Sequence, residues 1–443
     1  VRNAGDPSRT PLPGVRGALQ AIGDFFSTQR HLVAVRDGII GALPLVLIGS
    51  VFLLAAQPPS AALQRWVAPF SPALLVPYRA LGGMISLYVT FSAAHSLAKS
   101  YDLDAAASGL IAIASFLVAA VPTPDLAQPA LASSLPLQRL GAQGIFAGLL
   151  IALGTVELGR LFVSRGWIIQ MPKTAPEMVI RSFLALIPGF AAIFTIFVIT
   201  HVFRCDLVSL AASLALPLLR ATGSFPAAIA VVLVDSGLWL VGVHASAALG
   251  TMKPLWEAML LENMEAASQG TALPHVASLH FYLWFVWQGG SGAALALALL
   301  LLRSRSTQLK AVGRLGIVPA LCNISEPVLF GVPVVLNPRL AIPFFLAPLA
   351  CASTAYLAFH LDWVTRPYLE VPWTLPAPVG AFLSTGGDPR ALILQLANLL
   401  LALAVYWPFL RRYDRSLQQA ETLPKQVGND PSQGSAKPVA LPK

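Results

Sequence analysis

Charge is what this sequence has least of. Asp, Glu, Lys and Arg make up 11% of its 443 residues, where a soluble domain carries about 25%. A chain of this length cannot cover its surface in water with so few charges. Cysteine is scarcer still. Cys205, Cys322 and Cys351 lie in or beside apolar stretches without metal-ligand spacing, and an odd number leaves at least one thiol unpaired; buried free thiols are expected. No Walker-A loop, zinc-protease helix, paired CxxC or dinucleotide fingerprint occurs. A pump driven by a soluble ATP motor of the usual kind is thereby disfavoured, no soluble catalytic domain is expected, and no cofactor or metal is expected. Residues 1–20 lack the apolar core of a signal peptide, so no cleavable signal is expected.

What is present is apolar: 56% of the residues are hydrophobic. Runs close to the ~20 residues that span a bilayer recur at 38–56, 80–98, 107–122, 141–163, 182–203, 225–243, 279–302, 340–360 and 389–410. The pattern is that of an all-α polytopic membrane protein. Net charge is +9, but the basic residues flank apolar runs instead of forming a nucleic-acid footprint. Arg30 and Arg36 precede the first run; Arg160, Arg165, Lys173 and Arg181 surround the fourth and fifth. Arg303, Arg305, Lys310 and Arg314 follow the seventh, and Arg411, Arg412 and Arg415 the last. The loops at 57–73 and 121–140 hold only Arg65 and Arg139. This is the positive-inside pattern: both termini are expected in the cytoplasm, with those two loops outside. No nucleic-acid partner is needed.

Residues 1–37 read as a polar cytoplasmic lead-in with an amphipathic piece. Residues 38–175 read as a scaffold half, extended to about 203 by the fifth span. Residues 176–415 read as a substrate-handling half, and 416–443, rich in Pro, Ser and Gly, as a disordered cytoplasmic tail. The second half holds most of the intramembrane polar residues and the densest Gly and Pro. Irregular backbone inside a membrane is tolerated only where protein or a watery cavity satisfies it.

A charge at the bilayer centre costs about 2.5–3.5 kcal/mol even on the lenient insertion scale, so it marks a cavity or a partner. Glu326, in "NISEPVLFGVPVVLNP", is the sharpest case; a structural Glu bonded to backbone amides is the plainer alternative. His244, in "DSGLWLVGVHASAAL", comes next, against a histidine satisfied by helix carbonyls. Asp235 suits a cavity or a helix cap equally. Trp239 and Trp373 are candidate platforms for a sugar ring, or interfacial tryptophans. "GGSG" at 289–292 suits close helix packing, with Gly289 and Gly290 as candidate substrate contacts. His95 and His201 read as structural.

"NISEPVLFGVPVVLNPRLAIPFFLAPL" resembles the signature segment of the membrane-embedded IIC subunits of the bacterial phosphoenolpyruvate-dependent sugar phosphotransferase system, lactose/cellobiose/diacetylchitobiose class. "QRHLVAVRDGIIGALPLVLIGSVFLL", "MPKTAPEMVIRSFLALIP", "GGSGAALALALLLLRSRSTQLKAVGRL" and "VPWTLPAPVGAFLSTGGDPRALILQL" resemble other segments of that class, in order from about residue 23 to 415. The resemblance implies about ten transmembrane helices, two re-entrant hairpins and an elevator-type carrier in the bacterial inner membrane. It also implies a homodimer held by the N-terminal half. Glu326 and His244 match the family's pair beside the sugar's 6-hydroxyl, Trp239 and Trp373 its aromatic wall, and Asn323 the first Asn of its Asn-Ile-Asn-Glu-Pro motif. Ser325 replaces the second Asn of that motif, and Ala245 replaces a common Gly, which leaves the sugar's identity and the retention of phosphoryl transfer open. The phosphoryl donors, IIA and IIB, would be separate chains, and the enzyme status of this chain stays open with them. The leading reading is a permease subunit presenting a β-linked disaccharide or amino-sugar oligomer to IIB. The second is a non-phosphorylating membrane sugar sensor of the same fold.

Overall fold

The computed structural model describes residues 28–58, 61–122, 136–172, 176–240, 245, 249–250, 252–332, 334 and 338–422. Among them every regular element is helical, with no strand. The first helix, α1 (Arg30–Ala56), starts where the Gln29 side chain accepts the Leu32 amide at 2.6 Å. It is followed by α2 (Ala61–Val67), α3 (Ser71–Leu81), α4 (Ile85–Ser100) and α5 (Ala105–Ala120). Asp104 caps α5 by accepting the Ala107 amide at 2.9 Å, a placement that satisfies one of the free N–H groups of the first turn. After α6 (Leu137–Leu140) a tight turn leads into α7 (Ile145–Ser164). The next helix, α8 (Glu177–Phe197), ends in a π-helical turn, Val198–Val202.

The chain then becomes more broken. Helices α9 (Leu207–Thr222) and α10 (Phe225–Leu240) meet at a bend of 68°. Next come α11 (Lys253–Ser268), a π-helical turn at Phe281–Val286, α12 (Ala294–Leu301), α13 (Thr307–Leu321) and the short α14 (Glu326–Gly331). The chain closes with α15 (Pro338–His360), α16 (Ala377–Ser384) and the long α17 (Pro389–Thr422).

Among the described residues, seven helical stretches are long and apolar enough to cross a membrane, or up to eight if the bent α9–α10 pair is one span. That makes a multi-pass membrane protein. Eight of the nine apolar runs become these stretches or part of the bent pair, while 107–122 becomes α5, apolar but shorter. Helix α9 was not among the expected runs, because Pro217 and Arg220 interrupt its pattern. The expected segment limits shift as well. Helix α1 begins at Arg30, so a lead-in ending at 37 stops inside a helix. Helix α17 continues through Thr422, beyond the expected start of the tail at 416. Most of the amphipathic lead-in, and the tail from 423, lie outside the described residues.

Helix α1 packs on α4, which also packs on α5 and α7. Lipid tails are as apolar as Leu, so helices in a bilayer associate through close packing, and small residues let backbones approach. Gly38 shows the effect: a Cβ placed there would lie 2.8 Å from the Ala93 Cβ. In the second half α15 packs on α17 and α10, and α12 on α13 and α17. The two halves touch where Tyr78 Oη donates to the Met264 carbonyl at 3.2 Å and the Glu370 amide donates to Ser50 Oγ at 3.1 Å. All three cysteines are free thiols, and Cys351 is buried as expected, while Cys205 and Cys322 are half-buried.

Candidate functional site

The membrane stretch Phe281–Leu301 contains its own interruption. Gly289, Gly290 and Gly292 have φ of 78°, 99° and 74°, and Ala293 follows at 56°. A left-handed conformation costs an L-residue roughly 1–2 kcal/mol, so glycine is the natural choice there and Ala293 is held by its surroundings. The "GGSG" stretch is therefore a built break between the π-helical turn and α12, in which backbone groups leave the helical ladder. Lipid offers them nothing to bond. The Gly289 amide instead donates to Asn323 Oδ1 at 3.0 Å.

Asn323 is itself left-handed, φ 61°, a conformation that Asn tolerates better than most residues. Its Nδ2 donates to the carbonyls of Trp373 at 2.7 Å and Leu375 at 2.9 Å. One amide side chain thus joins three pieces of broken backbone: the glycine break, the end of α13 and the 373–375 loop. Read from the sequence as a substrate contact, Asn323 has both amide hydrogens engaged by carbonyls here. What it contributes in this arrangement is position. Three residues on, Glu326 opens α14 and is half-buried, with Pro327 at the next position. A carboxylate in the first turn of a helix and a proline at its start are both favoured placements. Ser325 is buried against the break: a Cβ on Gly290 would lie 2.6 Å from the Ser325 Cβ.

Asp235, on α10, is 3% exposed, and its Oδ1 accepts the hydroxyl of Ser291 at 3.0 Å. Its Oδ2 has no hydrogen-bond partner among the described residues. The next residue, Ser236, donates to the Phe344 carbonyl at 3.3 Å, so α10 is fastened to the break on one side and to α15 on the other. Trp239, one turn further on, is only 4% exposed and packs edge-on against Phe330, 6.0 Å between ring centroids. Trp373 is 55% exposed, with its indole open. Of the sequence candidates, Gly289, Gly290, Asn323, Ser325, Glu326 and Trp373 are brought together at one break. Asp235 reaches it through Ser291, and Trp239 packs on the far end of α14. His244 lies outside the described residues, while Ala245 is buried. His95 and His201 stay in the first half, and His201 Nε2 lies 3.0 Å from the Val118 carbonyl.

Sequence reasoning missed a second polar group. His280 is fully buried, its Nδ1 2.9 Å from the Leu369 carbonyl and its Nε2 3.5 Å from Glu370 Oε1. Glu257 and Glu370 line one small cavity together with Ile39, Val46 and Val89 of the first half. A polar ladder also runs through the interior. Gln395 donates to Gln288 at 3.2 Å, and Asn398 donates to the carbonyls of Phe285 at 3.0 Å and Cys351 at 3.1 Å. A histidine at the edge of the 279–302 run was the available signal for the first group. No set of three or more His, Cys, Asp or Glu residues among those described could hold a metal ion.

Interrupted membrane helices that converge on a carboxylate, with their loose backbone gathered by one Asn, define a membrane carrier of the permease class. The family described as Phosphotransferase system, EIIC matches residues 36–348, and the chain belongs to that family. It is 37% identical over 413 residues to the putative permease IIC component YwbA of Bacillus subtilis, covering 89% of this chain and 93% of that one. It is 37% identical over 410 residues to the cellobiose-specific EIIC component of Geobacillus stearothermophilus, covering 87% and 90%. The crystal structure of the transporter ChbC, the IIC component of an N,N'-diacetylchitobiose-specific phosphotransferase system, superimposes with a TM-score of 0.82. The two are 33% identical, over 91% of this chain and 98% of that one.

Proposed function

We propose that this chain carries a β-linked disaccharide or amino-sugar oligomer across the membrane and presents it for phosphorylation by a separate IIB subunit. The observation that carries the reading is Glu326, placed at the head of α14 beside a backbone break that Asn323 ties to the loop of the exposed Trp373. A carboxylate orients a sugar hydroxyl and accepts its proton as the oxygen attacks phosphorus. The S–P bond of an incoming phosphocysteine breaks and its thiolate leaves. Base assistance of this kind is worth about 10²–10⁴-fold. His244 is proposed as the second polar contact and Trp373 as an aromatic wall. Phosphorylation adds a charge of about −2, which closes the route back through lipid. Relatives named for cellobiose and diacetylchitobiose support the β-linked substrate class.

The proposal extends to an inner-membrane homodimer held by the first half, of an elevator-type fold with two re-entrant hairpins, in which the second half moves with the sugar. Both termini face the cytoplasm, and IIA and IIB act from there as separate chains. The test is uptake of labelled cellobiose or diacetylchitobiose into vesicles holding the full chain, with and without phosphorylated IIB. Uptake as sugar phosphate only when phospho-IIB is present is the expected result. Sugar binding with no transfer under any condition would replace the carrier by a membrane sugar sensor.

A further inference from the structure

The exposed apolar residues of α17 fall into one stripe. Ile393, Leu396, Leu400 and Trp407 are separated by three, four and seven residues, which places them on a single helical face. Leu400 is 66% exposed and Trp407 50% exposed. In a membrane protein such a face meets lipid. Continued at the same spacing, it reaches Arg411 and then Arg415, so the lipid-facing stripe runs directly into two guanidinium groups.

At that point α17 meets the end of α12, and the two enclose a pocket lined by Arg303, Arg305, Arg411 and Arg415 with Trp407 at its apolar wall. Arg411 lies over the Trp407 ring, 5.9 Å from its centroid. Among the described residues the one carboxylate in the lining is Asp414, whose two oxygens accept the backbone amides of Arg305 at 2.9 Å and Ser306 at 2.8 Å and pair with no guanidinium. None of the four guanidinium groups has an ion-pair partner among the described residues. Asp414 offsets one of the four positive charges, and the excess that remains calls for an anion. The planar, five-donor guanidinium matches phosphate oxygens in geometry as well as charge.

We propose that this pocket binds the phosphodiester headgroup of an anionic phospholipid, whose acyl chains lie along the Ile393–Trp407 stripe. The join between stripe and pocket is what selects a lipid over a free phosphate or an acidic protein. Bilayer lipid already lies along the stripe, so a phospholipid is the anion whose headgroup is carried to the pocket by the same contact. Basic pockets between membrane helices, with a tryptophan at the interfacial level, have the right chemistry for such headgroups. The site is separate from the break around Glu326 and does not depend on the sugar reading.

Native mass spectrometry of the detergent-solubilised full-length protein tests the assignment, using phosphatidylglycerol and phosphatidylcholine of identical chains. Retention of phosphatidylglycerol over phosphatidylcholine by about 10-fold or more is expected, and Arg411→Gln with Arg415→Gln should abolish that preference. Brominated phosphatidylglycerol in nanodiscs should quench a component of tryptophan emission that Trp407→Phe removes, and should do so more strongly than brominated phosphatidylcholine at the same content. This second readout stands even if the double arginine variant fails to fold. Equal retention of the two lipids, or retention unchanged in the double variant, would overturn the proposal. Displacement of phosphatidylglycerol by millimolar inorganic phosphate would overturn it in favour of a free-phosphate site. Capture of phosphorylated IIB that depends on the same arginines, with no lipid retained, would overturn it in favour of a protein partner.

Discussion

Helices α1 and α4 and the segments around Gly289–Ala293 and Asn323–Gly331 use glycine for opposite purposes. In the first pair glycine removes bulk: Gly38 lets α1 lie against Ala93 while both helices continue through the contact. In the second region glycine supplies left-handed backbone, and the helix stops there. The first arrangement needs no polar partner at the contact, because both helices run on through Gly38 and Ala93. The second releases donors and acceptors inside the bilayer and must supply partners for them, which is what Asn323 does. The two regions are therefore distinguished by where their backbone hydrogen bonds go more than by residue type.

The largest effect separating the two regions should come from Glu326→Gln. Measured with purified protein, sugar and phospho-IIB, transfer should fall by about 10²–10⁴-fold. Sugar affinity should weaken by only about 1–3 kcal/mol, the range for a hydrogen bond to a charged group. Equal losses in the two would leave Glu326 as a binding residue alone.

Next comes a paired substitution. Gly292 is left-handed, and a Cβ there would run into the Phe344 ring; Gly154 in α7 has nothing within 4 Å of such a Cβ. Gly292→Ala should cost about 2–4 kcal/mol from backbone strain and overlap, read as thermal unfolding in detergent. Gly154→Ala should be neutral or stabilising by up to about 1 kcal/mol. Similar responses at the two sites would erase the distinction drawn above.

Asn323→Ala should follow, costing about 1–3 kcal/mol for the buried groups it leaves unpaired. Sugar affinity should drop although Glu326 is intact, because Trp373 and the glycine break lose their common tie. Asn323→Asp cannot donate to the two carbonyls and should not rescue binding. Full affinity in both variants would remove Asn323 from the site.

The smallest effect belongs to Asp206, outside the membrane stretches. Partial burial would raise its pKa, but the amide and hydroxyl of Ser209 and the Arg139 guanidinium outweigh it and hold it below the ordinary aspartate value. A lowered acid contributes stability above its unfolded pKa and loses it as pH falls through the folded one. The contribution should therefore be present at neutral pH and fade in acid below pH ~4. The pair is partly exposed, so Arg139→Gln should change stability by less than about 1 kcal/mol.

Much of the fold was legible because bilayer thickness writes itself into run length. The position of the break was legible because four residues holding three glycines, 289–292, disfavour a continuous helix. Helix α9 was hidden by Pro217 and Arg220, which are tolerated because neighbouring segments, not local pattern, settle it. Asn323 was found but its tie between three backbone segments was not, since its partners lie 34, 50 and 52 residues away. Spacing cannot reveal a hydrogen bond of that range. Glu257, His280 and Glu370 were missed for the same reason: His280 meets Leu369, 89 residues on, and Glu370 next to it, and Glu257 and Glu370 meet Ile39, Val46 and Val89 of the first half.

The polar ladder in the interior has a consequence in time. Gln288 waits for Gln395, 107 residues later in the chain. At a synthesis rate of about 5–20 residues per second, that wait lasts roughly 5–20 s. Throughout it, the amides of the seventh apolar run face lipid or the insertion machinery without their final partners. This part of the second half therefore closes only after α17 has been made, and the order of synthesis makes the last helix the key to its interior.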